Sequence, residues 1–129
     1  MKVLVLSDGI LEEKEIDNTL EELQSIVGGY IEFPLLGGVF KKNNIDTIIN
    51  EEGKFIEGLK PEIALIDGKT KRILDIVYGN CIFASHDEEG NTIGLNDKQI
   101  KVVMQELLLD ITLTYQDTGK EFMVKALFL

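Results

Sequence analysis

Three stretches of this sequence gather side chains that can do chemistry. The first is DGKTKR at 67–72, where Lys69, Lys71 and Arg72 follow a glycine. A Gly-Lys-Thr run suggests a phosphate-binding loop, but the Walker spacing requires an earlier glycine where Ile63 stands. The better reading is a basic surface turn, able to take a small anion or to orient the molecule on a partner. The second stretch surrounds His86, the sole histidine, which is followed by Asp87, Glu88 and Glu89. A metal would want a second histidine, a cysteine pair or an HExxH spacing, and a calcium loop would want acids at alternate positions. The expectation is a solvated hairpin tip and no metal. The third is Cys81, set in the apolar run NCIFA, which reads as a small buried hydrophobe rather than a nucleophile.

No catalytic set assembles from these. A Cys–His pair needs a third, orienting group, and the sequence offers none in view. Glu51 and Glu52 are neighbours on one turn, whereas acid–base carboxylates face each other across a cleft. No GxGxxG precedes a helix and there is no tryptophan, so no cofactor is expected. The inventory points away from an enzyme.

Charge is the more informative property. The 129 residues carry a net charge of −10, the wrong sign for coating nucleic acid directly. The excess is lopsided: between Asp8 and Glu32, eight acids face one lysine, so seven of the ten net charges fall within 25 residues. Acids at a helix start and on a solvated face account for part of this. The sharper reading is a row of carboxylates, Glu12, Glu13, Glu15, Glu21 and Glu22, that imitates phosphates and fits a basic groove. Asp87, Glu88 and Glu89 form a second acidic patch.

The elements that must position these groups read as an α+β fold, a mostly antiparallel twisted sheet built from hairpins with two amphipathic helices. VLVL within 2–7 is a central strand, Asp8-Gly9 a turn, and an extended piece near Lys14–Ile16 pairs back. The first helix is expected at about 18–27, with Asn18 and Glu21 as a capping box, Leu20, Leu23 and Val27 facing the core, and Gly28-Gly29 as its stop. A strand with Ile31, Phe33 and Leu35 on one face follows, and Pro34 puts it at an edge. Gly53, Gly90 and Gly119 mark three hairpins. The second helix, at about 96–108, has Asn96 and Gln99 as capping box and Ile100, Val103, Met104 and Leu107 as its stripe. In the last ribbon Ile111, Leu113 and Tyr115 share a face with Phe122, Val124 and Ala126. Residues 59–74 carry the weakest signal. The start, MKVLVLSDGI, lacks a signal-peptide pattern, and the lone cysteine suits a reduced compartment, so a cytoplasmic location without membrane attachment is expected.

Four blocks, Leu23–Glu32, Asn50–Lys54, Gly79–Gly90 and Leu95–Ile100, resemble a small domain-of-unknown-function family carried by phages, plasmids and conjugative elements of Gram-positive bacteria. The resemblance spans about residues 1–105 of the single domain 1–129, leaving 110–129 as an added C-terminal hairpin. The length of segment 35–44 also departs from the pattern. It transfers no catalytic residue. It implies an accessory protein of a mobile element, and some anti-CRISPR proteins resemble this family. The expectation is a stoichiometric inhibitor of a bacterial defence system, with a CRISPR effector nuclease as the leading partner. Two alternatives stand beside it: a sponge for a nucleotide immune signal, using Lys69, Lys71 and Arg72, and a homo-oligomer, such as a homodimer pairing through the apolar end KALFL.

Overall fold

The computed structural model describes residues 1–34 and 36–129. In β1 (Lys2–Ser7) the run VLVL is buried on both faces, as in a central strand. Asp8 and Gly9 both take positive φ, 50° and 76°, the tight turn that matches strand twist. The chain returns as β2 (Ile10–Glu15), paired from Ser7–Ile10 to Lys2–Glu15 and starting earlier than its sequence suggests. Helix α1 (Leu20–Val27) is capped by Thr19, whose hydroxyl accepts from the Glu22 amide at 3.2 Å. Asn18, the expected cap, instead donates to the Thr92 carbonyl at 2.9 Å. Both residues can cap a helix, and a tertiary contact engages one of them. Leu20, expected in the core, is exposed. The stop is as expected: Gly28 has φ 83° and its amide, like that of Gly29, donates to the Gln24 carbonyl.

The short β3 (Ile31–Glu32) ends before Phe33 and Pro34, and Leu35, expected on its face, lies outside the described residues. Helix α2 (Gly38–Lys42) has no counterpart in the sequence reading; it is held by Phe40, edge-on to Phe83 at 5.8 Å. After β4 (Ile45–Asn50) the expected hairpin at Gly53 does not form. A single turn of tighter helix, Gly53–Phe55, carries the chain away to β5 (Pro61–Ile66). Gly53 is required for another reason: a Cβ there would lie 2.7 Å from the Tyr78 carbonyl oxygen. Then come β6 (Ile73–Tyr78), β7 (Cys81–His86), β8 (Thr92–Ile93), α3 (Asp97–Glu106), β9 (Asp110–Thr114) and β10 (Glu121–Phe128). The hairpins at Gly90 and Gly119 form as expected, both glycines having positive φ. The capping box of α3 is complete, with Asn96 accepting from the Gln99 amide and Gln99 from the Asn96 amide, at 2.8 and 2.9 Å. Met104 is exposed at the rim of its stripe.

The fold is α+β, but with two sheets where one was expected, and three α-helices among the described residues. The first sheet runs β2-β1-β7-β4-β3, with β8 along the end of β7, all antiparallel. The second runs β6-β5-β10-β9, and β5 lies parallel to β10 from Ile63–Lys125 to Ile66–Phe128. The added hairpin therefore completes this sheet: Lys125–Phe128 of KALFL pair with β5, while on the other side the ladder with β9 ends at Lys125. One face of the first sheet, including Leu4, Leu6 and Phe83, packs on the second sheet through Ile63, Leu65 and Leu127 and on α3 through Ile100 and Val103. Its other face, Val3, Val5, Ile48 and Ile82, takes α1 through Leu23 and Val27. The outer face of the second sheet packs on itself. There Ile111, Leu113, Tyr115, Phe122, Val124 and Ala126 share a cluster, and Tyr115 and Tyr78, from opposite edges, share a hydrogen bond between hydroxyls.

Candidate functional site

Alternation along β2 divides the acidic row between two faces. Glu12 stands opposite Val5, on the face that carries α1. Glu13 and Glu15 stand opposite Leu4 and Lys2, on the other. Those two are partnered: Glu13 lies 3.4 Å from the Lys2 ammonium, and Glu15 lies 3.2 Å from the Met1 ammonium. Glu12, Glu21 and Glu22 have no ion pair within 4.0 Å among the described residues. The α1 face of the first sheet thus presents three unneutralised carboxylates, two of them in the first turn of α1, where the amide dipoles favour negative charge.

The hairpin tip also separates. The Asp87 carboxylate accepts from the amides of Asn91 and Glu89 and from the Asn91 side chain, at 2.9, 2.9 and 3.2 Å. Those donors, Asn91 first, hold its pKa below the usual value. It builds the turn, while Glu88 and Glu89 are exposed. The basic turn is likewise occupied with itself. Asp67 accepts from the Lys69 and Thr70 amides, and Lys71 donates to the Gly68 carbonyl at 2.7 Å with its ammonium 5.1 Å from the centre of the Phe128 ring. Lys69 and Arg72 project from an exposed loop. Cys81 is fully buried, which drives its thiol pKa far up and leaves it inert as a nucleophile.

The motif blocks converge, but on structure. The two last carbonyls of α1 are satisfied by side chains from elsewhere: Asn50 donates to Val27 at 3.1 Å and Asn80 to Ile26 at 3.0 Å. Buried Gln99 donates to the Asn43 carbonyl and the Ser85 hydroxyl, both at 3.0 Å. These motifs read as fold signatures. Glu62, also missed in sequence, joins the sheets: its carboxylate accepts from the Asp8 and Gly9 amides at 3.0 and 2.9 Å. Burial raises its pKa in spite of those donors.

One concave feature brings together groups that are far apart in sequence. A cleft of about 420 Å³ opens beside β4 where β3 stops, lined by Phe33, Pro34, Phe40, Lys41, Asp46 and His86 among others. His86 Nδ1 sits 2.9 Å from an Asp46 carboxylate oxygen. His86 is thus part of a built pair at a strand end rather than a free hairpin tip. The spacing of Asp46 and His86 carries no sequence signal, because antiparallel pairing of β4 with β7 makes them neighbours. Among the described residues there is no group of three or more metal-ligating side chains, and no helix long and apolar enough to cross a membrane.

No curated protein and no solved structure matches this chain. A family model does match, over residues 1–108, ending between α3 and β9. By that match the chain belongs to the family described as a domain of unknown function, DUF3846.

Proposed function

We propose that this chain is a non-enzymatic binding protein of a phage or other mobile element. It would act in the bacterial cytoplasm by docking an acidic face into the nucleic-acid groove of a host defence protein, with a CRISPR effector nuclease as the leading target. The observation that carries the reading is the trio Glu12, Glu21 and Glu22, on one side of the first sheet and with no ion pair within 4.0 Å among the described residues. Unpaired surface carboxylates of one sign steer association with a basic partner and make it salt-sensitive. The resemblance to mobile-element proteins supplies the biological setting, and the convergence of the motif blocks on fold-holding contacts supports a non-catalytic role. The nucleotide-sponge alternative is less favoured, because Lys71 is spent on Gly68 and Phe128.

The test titrates the purified protein into a DNA-cleavage assay with a CRISPR effector. Stoichiometric inhibition is expected. Neutralising the free trio, Glu12→Gln with Glu21→Gln and Glu22→Gln, weakens it about tenfold and flattens its salt dependence, whereas Glu13→Gln with Glu15→Gln changes it little. Full inhibition by the folded triple variant removes the charged-groove mechanism, and no inhibition by the native chain removes the proposed target.

A further inference from the structure

The cleft beside β4 combines apolar walls with a small polar head. Phe33 and Pro34 come from the segment after β3, Phe40 and Lys41 from α2, and Asp46 and His86 from facing strands. Phe40 is itself buried, edge-on to Phe83, and forms a rigid floor, while Phe33 is half exposed and offers the accessible ring. The Asp46 carboxylate engages His86 at Nδ1, which fixes the ring and leaves Nε2 without a hydrogen-bond partner among the described residues. Lys41 has no ion pair within 4.0 Å among the described residues, on a chain whose net charge is −10. Flat apolar walls with a few convergent polar groups are the ordinary design of a small-molecule site.

We propose that this cleft binds a small aromatic monoanion, its ring against Phe33 and Pro34 and its carboxylate or similar group on Lys41 and His86. Aromatic walls favour a planar ring over an aliphatic chain of equal size. One lysine and one histidine match one negative charge. Asp46, a carboxylate at the same end of the cleft, disfavours a second one. The site is separate from the acidic trio, so the two can succeed or fail independently.

Naphthoate is the probe, with naphthylmethanol as its neutral analogue and acetate as the anion without a ring. Binding is followed by calorimetry and by amide chemical shifts of the full chain. Naphthoate is expected to shift the amides around Phe33, Lys41 and Asp46 and to leave those of Lys69–Arg72 unmoved. Naphthylmethanol and acetate should each bind at least about tenfold more weakly. Lys41→Ala and His86→Gln should each lower naphthoate affinity several-fold with the melting temperature unchanged, since both side chains are partly or fully exposed. Equal binding of naphthylmethanol, shifts confined to the Lys69–Arg72 loop, indifference to both substitutions or absence of binding would each overturn the assignment.

Discussion

The two sheets differ in what covers them. The central strands of the first are buried on both faces, by α1 on one side and by α3 with the second sheet on the other, while its edge strand β2 is exposed. The four central residues of β1 and the first five of β7 are buried. The second sheet has one face in the common core and packs its outer face with its own side chains, and its edge strands carry exposed Ile73, Leu74 and Thr112. The family match covers the whole first sheet but only β5 and β6 of the second. A doubly covered sheet constrains sequence at every position, whereas a singly covered one constrains alternate positions. The recognisable part of this chain is accordingly centred on the sheet whose central strands are covered on both faces.

Core truncations should expose this difference most strongly. Leu4→Ala, in the first sheet with its side chain fully buried, should cost about 4–5 kcal/mol by chemical denaturation. Leu113→Ala, on the outer face of the second sheet, should cost about 2–3 kcal/mol, because an edge strand can close over the gap. Equal losses would mean that the outer cluster is as tightly constrained as the core. At the joint after β4, Gly53→Ala forces a methyl against the Tyr78 backbone and should cost about 1–3 kcal/mol. A neutral result would show that the β4–β5 connection yields freely.

On α3, which packs against the first sheet, Gln99→Leu removes the partner of the Asn43 carbonyl and half of the capping box, for an expected loss of about 1–3 kcal/mol. The smallest effect is a pH dependence at the other joint. Burial raises the Glu62 pKa above that of an ordinary glutamate, so its contribution to stability is full below the ordinary value and is lost as pH rises through the folded-state value. Stability measured against Glu62→Gln should therefore decline with rising pH across that window. A flat difference would show that the Asp8 and Gly9 amides fully offset burial.

Much of the fold is legible in local pattern. VLVL, Gly28, the Asn96–Gln99 box and the glycines of two hairpins each announce an element, because each answers a backbone requirement within a few residues of itself. The misses have a common cause. Thr19 displaces Asn18 as cap because Asn18 finds Thr92, far along the chain. Gly53 signals a turn in sequence, yet its place is set by close approach to Tyr78. The weak stretch 59–74 contains β5, whose six residues are all buried, and its parallel partner β10 is more than fifty residues away. Of the candidate site, the acids were visible but not their division, since pairing with β1 decides which face each one takes.

By itself, then, the sequence determined an α+β chain with a strong acidic bias and two amphipathic helices. These are matters of composition and of spacing within a turn or two. Only the tertiary structure decided that there are two sheets, that Glu13 and Glu15 are neutralised while Glu12, Glu21 and Glu22 are not, and that Asp46 and His86 meet beside an apolar cleft. Each of these depends on strand neighbours and register. Residues far apart in the chain become neighbours only when burial of both sheets fixes which strands lie side by side.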